Sequence, residues 1–278
     1  TIVASKLLNL SEDETINALG LVSTRASGIK SQFGTMGKPY HAGMAASNGI
    51  EAAKLSKLGF VSREDGMECD QGFFLTHGWD KKLPNRAVEN LGSDFLFPEI
   101  KYKFHACCHG LHSFLEALEE LKQENNFNPE TIEEIAIETN PSWLKVCNIE
   151  KPKTGLEAKF SYKLTAAMSI YGKDTADLDT YCDEICFDDN MNGIRDKVKV
   201  IPNDQLTNTQ SLISIKDGTK DIANKHDLSD KIDQKILETK ILNKSVSLLS
   251  EIKSNEISSM LNSASKIKVD ALVDCLVG

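Results

Sequence analysis

Apolar and polar positions divide the chain into three stretches. Up to about residue 96 the pattern is helical. Residues 1–10 read as the end of a helix, with Ile2, Val3, Leu7, Leu8 and Leu10 apolar. Ser11-Glu-Asp-Glu14 has the capping-box form, in which serine and the glutamate three residues on satisfy each other's amides. It predicts a helix from Glu12 to about Ile29 with Ile16, Leu19, Val22 and Ala26 facing inward, broken by Gly28 and the run 31–37. A helix over 42–58 is dense in small residues (Ala42, Ala45, Ala46, Gly49, Ala52, Ala53), which let neighbouring backbones approach closely; Gly59 closes it. Ser62–Asp65 predicts the start of another short helix, and Phe73, Phe74 and Leu75 read as core.

From about 97 the pattern is mixed. Ile100–Phe104 reads as extended, and the leucines at 111, 115, 118 and 121 recur at helical spacing. Ile132–Thr139 and Lys197–Ile201 carry strand patterns, helices are predicted over 158–171 and 178–185, and Leu212–Ile215 followed by 216–219 makes half of a hairpin. Beyond 227 the chain is helical again, with Ile232, Ile236, Ile241, Leu242, Leu248, Leu249 and Ile252 on one face, and a last helix spans about 266–276. The expected fold is mostly α with an α+β lid: a helical body over 1–96, a lid over 97–222, and helices over 223–278 returning to the body. A cleft between body and lid is a common place for a small-molecule site.

Composition narrows the partners. With 278 residues, 40% of them hydrophobic, the chain can bury a core. A net charge of −9 argues against a nucleic-acid or anionic-membrane surface, and no stretch approaches the roughly 18 consecutive apolar residues of a membrane span. Seven cysteines without disulfide-rich spacing, and no secretory signal, point to free thiols in a reducing compartment such as the cytoplasm or mitochondrial matrix. The missing initiator methionine suggests a start inside a longer protein.

An acidic chain that binds an anion must concentrate its positive charge locally, and two places do so. Lys38-Pro-Tyr-His41 precedes the small-residue helix. Lys101–His112 holds three of the six histidines (His105, His109, His112), two of the seven cysteines (Cys107, Cys108) and Lys101 and Lys103, just before the leucine-spaced helix. Free amides at a helix start suit anions. A zinc or iron site is weakly supported, because adjacent cysteines diverge and no second Cys-x-x-Cys or carboxylate pair accompanies them. A cysteine nucleophile at a helix start beside histidines lacks an oxyanion loop. Packing of a half-buried Cys/His helix start remains the plain alternative. A carboxylate site fits both places: the lysines neutralise charge and a histidine moves a proton near neutral pH.

These segments resemble the MmgE/PrpD family, which includes 2-methylcitrate dehydratase, cis-aconitate decarboxylase and iminodisuccinate epimerase. The resemblance is carried by Leu7–Leu21 with Ala26-Ser-Gly28, by Met36-Gly-Lys-Pro-Tyr-His-Ala-Gly-Met-Ala-Ala-Ser-Asn-Gly-Ile-Glu-Ala-Ala53, by Lys103–Ser113, and by Glu157-Ala-Lys-Phe-Ser161. It implies a helical body with an α+β lid, cofactor-free and metal-free lyase or isomerase chemistry on a small polycarboxylate, and a homodimer. By motif, Lys38 and Lys103 fall on lysines that line the active site, His41 on the histidine after the first, and His112 on the family's "tH"; these four are the implied catalytic groups. Tyr40, Cys107, Cys108 and His109 are the implied substrate-binding groups. Cys108 stands where decarboxylases have histidine, and Leu164 where they have tyrosine. The resemblance also implies a helical N-terminal part, supplying an aspartate and histidines, before the equivalent of Thr1. A dehydratase or decarboxylase is the leading expectation; an epimerase, or an inactive homologue acting as a binding or dimerisation module, is the alternative.

Overall fold

Small residues and one capping box build the first of two units, residues 1–100; the second is 101–278. A computed structural model describes residues 1–78, 89–218, 220–263 and 268–277. In the first unit, α1 (Ile2–Leu7) and α2 (Glu12–Ser23) pack on α3 (Gly37–Lys57). Ser11 and Glu14 cap α2 reciprocally, the Ser11 amide donating to Glu14 Oε2 at 2.7 Å and the Glu14 amide to Ser11 Oγ at 3.2 Å. The buried side of α3 is Asn48, Gly49, Ala52, Ala53 and Ser56. A Cβ at Gly49 would lie 2.7 Å from the Thr1 backbone nitrogen, so the close crossing of α1 and α3 needs glycine there. Ala42, Ala45 and Ala46, by contrast, are exposed.

Several expectations change here: α2 ends at Ser23, six residues short of Ile29, which leaves Ala26 exposed, and Phe73, Phe74 and Leu75 are part-buried rather than core. Helix α3 starts at Gly37, so Lys38–His41 form its first turn rather than precede it. Pro39 is tolerated because amides in the first turn have no intrahelical acceptor. No helix starts at Ser62, because its hydroxyl donates to the Asn17 carbonyl at 2.7 Å and its amide to Asn17 Oδ1 at 2.9 Å, which leaves it unable to cap. The next helical turn is Phe73–Thr76.

The second unit is built on a mixed four-stranded sheet in the order β2-β1-β3-β4, from β1 (Ile132–Thr139), β2 (Val198–Pro202), β3 (Gln210–Asp217) and β4 (Lys220–Asp227). β1 runs parallel to β2, with Ile135 opposite Val198, and antiparallel to β3, with Ile137 opposite Ile213. The β3–β4 hairpin extends to Asp227, five residues past the expected lid boundary; its Thr219 lies outside the described residues. Helix α4 (His112–Glu124) packs on β3 and β4, and α5 (Tyr162–Ile170) packs on α4 and β2. Leu111, Phe114, Leu115, Leu118, Ile135, Ile137 and Ile213 are fully buried between these layers.

The helix predicted over 178–185 does not form. Asp177 turns the chain by accepting the Asp179 amide at 2.9 Å, leaving one 3-10 turn at Glu184–Cys186. The helix lies further on, as α6 (Asp189–Arg195), where Asp188 accepts the Met191 amide at 3.0 Å. After the sheet come α7 (Gln234–Leu249), α8 (Glu251–Asn262) and α9 (Val269–Val277). Residues 266 and 267 of the expected last helix lie outside the described residues. α7 has no buried residue, and Ile236 and Leu248 of its expected inward face are about half exposed. It is held by polar contacts: Lys240 to Glu116 of α4, and Lys244 and Ser247 to the Ala176 carbonyl. Among the described residues, no helix is long and apolar enough to cross a membrane.

Candidate functional site

The segment 103–112 enters α4 without joining the sheet, so its backbone groups find partners elsewhere. The Ala106 amide donates to the Thr175 carbonyl at 2.8 Å and the Cys108 amide to the Lys159 carbonyl at 2.8 Å. The Gly110 carbonyl accepts from Tyr162 Oη at 2.7 Å. Gly110 sits so close to Trp143 that a Cβ would lie 2.5 Å from its ring and 2.8 Å from Cys147 Sγ.

This pinning gives the three histidines different states. His112 is fully buried, with Nδ1 3.1 Å from the Cys108 carbonyl and Nε2 3.3 Å from the His105 backbone nitrogen. The carbonyl needs a donor and the amide an acceptor, which assigns the proton to Nδ1. Burial, and then the neighbouring His105, push its pKa down to about 2. His112 is therefore neutral, with both nitrogens committed. His105 is also buried, its Nδ1 2.7 Å from Thr175 Oγ1 and its Nε2 3.1 Å from Glu116 Oε1. Burial of Glu116 opposes its ionisation, but its bonds with His105 and Lys240 outweigh that and hold its pKa down at about 2. His109 is half-buried, its ring 5.3 Å from His112 and 6.3 Å from Trp143. Among the described residues neither of its ring nitrogens has a hydrogen-bond partner. Burial and then the charge of Lys103 lower its pKa, which favours the neutral imidazole.

The thiols are quiet. Cys107 and Cys108 are 3% and 6% exposed. Burial pushes Cys107 up to about 12, against the lowering effects of Tyr181 and Lys103, so it stays a thiol. Cys108 hydrogen-bonds Cys147, and that contact, with burial, raises the Cys147 pKa. Among the described residues no three or more His, Cys, Asp or Glu side chains are grouped to hold a metal ion.

Lys103 is exposed at the head of this segment. The second unit thus gathers Lys103, Cys107, Cys108, His109 and His112; Lys38, Tyr40 and His41 belong to the first. There, Lys38 Nζ lies 5.0 Å from the Phe33 ring centroid, Tyr40 is exposed, and His41 lines an apolar cavity of about 330 Å³ with Leu19, Val22, Asn48 and Phe73. Sequence reasoning missed the His105–Glu116–Lys240 network and two lysines, Lys159 and Lys244. Lys159 stood within a quoted motif, whereas nothing local marks Lys240 or Lys244 among the lysines of α7.

A model of the MmgE/PrpD C-terminal domain matches residues 105–260, and a model of the MmgE/PrpD N-terminal domain matches residues 1–84. The chain belongs to the MmgE/PrpD family. A cis-aconitate decarboxylase-like protein of Aspergillus oryzae is 35% identical over 127 residues, 43% of this chain and 26% of that protein. A cis-aconitate decarboxylase of Aspergillus terreus is 29% identical over 184 residues, 61% of this chain and 38% of its own length. The human cis-aconitate decarboxylase is 36% identical over 86 residues, 30% of this chain and 18% of that enzyme. The chain therefore spans less than two fifths of the length of these MmgE/PrpD relatives.

Proposed function

We propose that this MmgE/PrpD chain is part of a lyase of the cis-aconitate decarboxylase or 2-methylcitrate dehydratase kind, acting on a small polycarboxylate. Loss of CO2 or water beside a carboxylate builds negative charge on the substrate and requires a proton at carbon or oxygen. An adjacent ammonium stabilises that charge, and a neutral imidazole with a free nitrogen first takes up a proton, from the substrate C–H in dehydration or from solvent in decarboxylation, and then donates it as imidazolium. The observation that carries the reading is His109, half-buried beside Lys103 with both ring nitrogens unengaged among the described residues. In this proposal Lys103 binds a carboxylate and His109 transfers the proton. His112 takes a positioning role in place of the proton transfer expected of it, since its nitrogens hold the backbone of 105 and 108. Cys107 and Cys108 form the wall, Lys38, Tyr40 and His41 are proposed substrate groups of the first unit taken by itself, and a homodimer is the assembly.

A second reading, a homologue that binds polycarboxylates without turning them over, is favoured by Cys108 and by the fully buried Leu164, at positions where decarboxylases are expected to carry histidine and tyrosine. The test is turnover of cis-aconitate and of 2-methylcitrate by the full chain, followed by CO2 release and by the ultraviolet absorbance of the conjugated double bond. Lys103→Ala and His109→Gln are each expected to lower kcat by about a hundredfold or more with an unchanged circular dichroism spectrum. Wild-type turnover in Lys103→Ala would overturn the assignment. Binding without turnover in the wild type selects the second reading.

A further inference from the structure

The Thr175–Ala176 peptide is a hub on the second unit. The Thr175 carbonyl accepts from the Ala106 amide at 2.8 Å and from Tyr181 Oη at 3.1 Å. The next carbonyl, Ala176, accepts from Lys244 Nζ and, at 3.4 Å, from Ser247 Oγ. On the other side the Lys159 carbonyl takes the Cys108 amide, and the Lys159 ammonium lies 5.4 Å from the Tyr181 ring centroid. Lys159 and Lys244 are thereby brought beside the segment that begins with Lys103.

Among the described residues none of these three lysines forms an ion pair with a carboxylate, whereas Lys122, Lys163, Lys199, Lys216 and Lys240 each do. An unpaired lysine on an open surface is ordinary, but Lys159 and Lys244 are half-buried. Burial lowers the pKa of both, and the charge of Lys103 lowers each further, so three like charges share a partly desolvated place. Nearby groups offset them only in part. Asp174 and Asp177 offset the charge of Lys244 in part, but among the described residues no carboxylate pairs with Lys159 or Lys103, so the three cations outnumber their counter-charges. Cys107 stays protonated, and burial raises the Tyr181 pKa too. A ligand with two or three carboxylates would supply the missing counter-charge, whereas a monocarboxylate would neutralise one cation of the three.

We propose that Lys159 and Lys244 join Lys103 as a three-ammonium cradle for the substrate's carboxylates, which makes α7 part of the binding site. This deepens the polycarboxylate reading above and rests on it. The test is calorimetric titration of the full chain at low salt with tricarballylate, an unreactive saturated tricarboxylate, and separately with inorganic phosphate. Lys159→Met and Lys244→Met are each expected to weaken tricarballylate binding about tenfold, Lys244→Arg to keep most of it, and Lys216→Met, on an exposed sheet pair with Glu133, to leave it unchanged. Tricarballylate should also protect Lys159 and Lys244 from amine acetylation, read residue by residue by mass spectrometry. Unchanged tricarballylate affinity in both folded Met variants overturns the cradle. Phosphate binding lost in those variants, with no tricarballylate binding in the wild type, keeps the cradle and sinks the polycarboxylate reading. A wild type that binds neither anion sinks both.

Discussion

Replacing Glu116 by Gln removes one charge from the His105–Glu116–Lys240 network while keeping its shape and one of the two acceptor oxygens that His105 and Lys240 use. The Glu116 side chain is 6% exposed. Its carboxyl is held at about 2 against an ordinary value of 4.5. At about 1.4 kcal/mol per pH unit, that depression contributes on the order of 3 kcal/mol to stability. Because the folded pKa lies below the unfolded one, the contribution is complete above 4.5 and is lost as pH falls from 4.5 towards about 2. Urea unfolding followed by far-ultraviolet circular dichroism should show Glu116→Gln less stable than wild type near neutral pH by up to about 3 kcal/mol. The gap should shrink by about 1.4 kcal/mol for each pH unit below about 4. A gap that stays constant with pH would refute the argument, because the loss would then arise from packing rather than from a paired charge.

Two further outcomes follow from the same segment. His112 is held at about 2 against an ordinary 6.5, so the unfolded chain takes up a proton there that the folded chain refuses. Stability should fall as pH drops below about 6.5, and His112→Asn, which cannot titrate, should flatten that part of the urea-derived profile while costing about 1–3 kcal/mol for the unpaired His105 amide. An unchanged slope between about pH 6.5 and 5 would contradict the buried neutral imidazole. Gly110→Ala would drive a Cβ into Trp143 and Cys147; it should cost about 3 kcal/mol in urea unfolding and shift the Trp143 fluorescence. A cost under about 0.5 kcal/mol would show that the Trp143 ring yields.

Elements whose signal is local were legible in the sequence. The Ser11–Glu14 box, the leucine ladder of α4 and the β-branched run of β1 each set their own backbone, and each forms as expected. The misses share a different cause. Ser62 reads as a cap, but its hydroxyl and amide are taken by Asn17, 45 residues away. Residues 178–185 have helical spacing, but Asp177 turns the backbone first and Asp188 starts the helix later. Within the candidate site, the Cys/His density at 105–112 singled out this segment without ranking its members. His109 and His112 differ through which nitrogens the fold leaves engaged, and that depends on the backbone of residues 105 and 108. Lys244 belongs to the site only because the Ala176 carbonyl, 68 residues earlier, receives its ammonium.

The position of α7 links the stability network to the proposed cradle. This helix has no fully buried residue, only part-buried ones such as Leu237, Val246 and Leu249, so directed polar contacts carry much of its positioning. Lys240 supplies the strongest of these, reaching Glu116 while its ammonium also sits 5.0 Å from the Phe104 ring centroid. Lys244 is one helical turn further on the same face, since residues four apart are neighbours. Once Lys240 is fixed on Glu116, Lys244 is delivered to the Ala176 carbonyl beside residues 103–108. Glu116 also accepts from His105, whose backbone amide holds His112. One buried carboxylate therefore sets both the lysine that α7 presents and the edge-to-face imidazole pair, His105 and His112, against which His109 rests. That is a physical reason for a charged glutamate to occupy the buried face of an otherwise leucine-lined helix, where a leucine would pack without the cost of desolvating a charge.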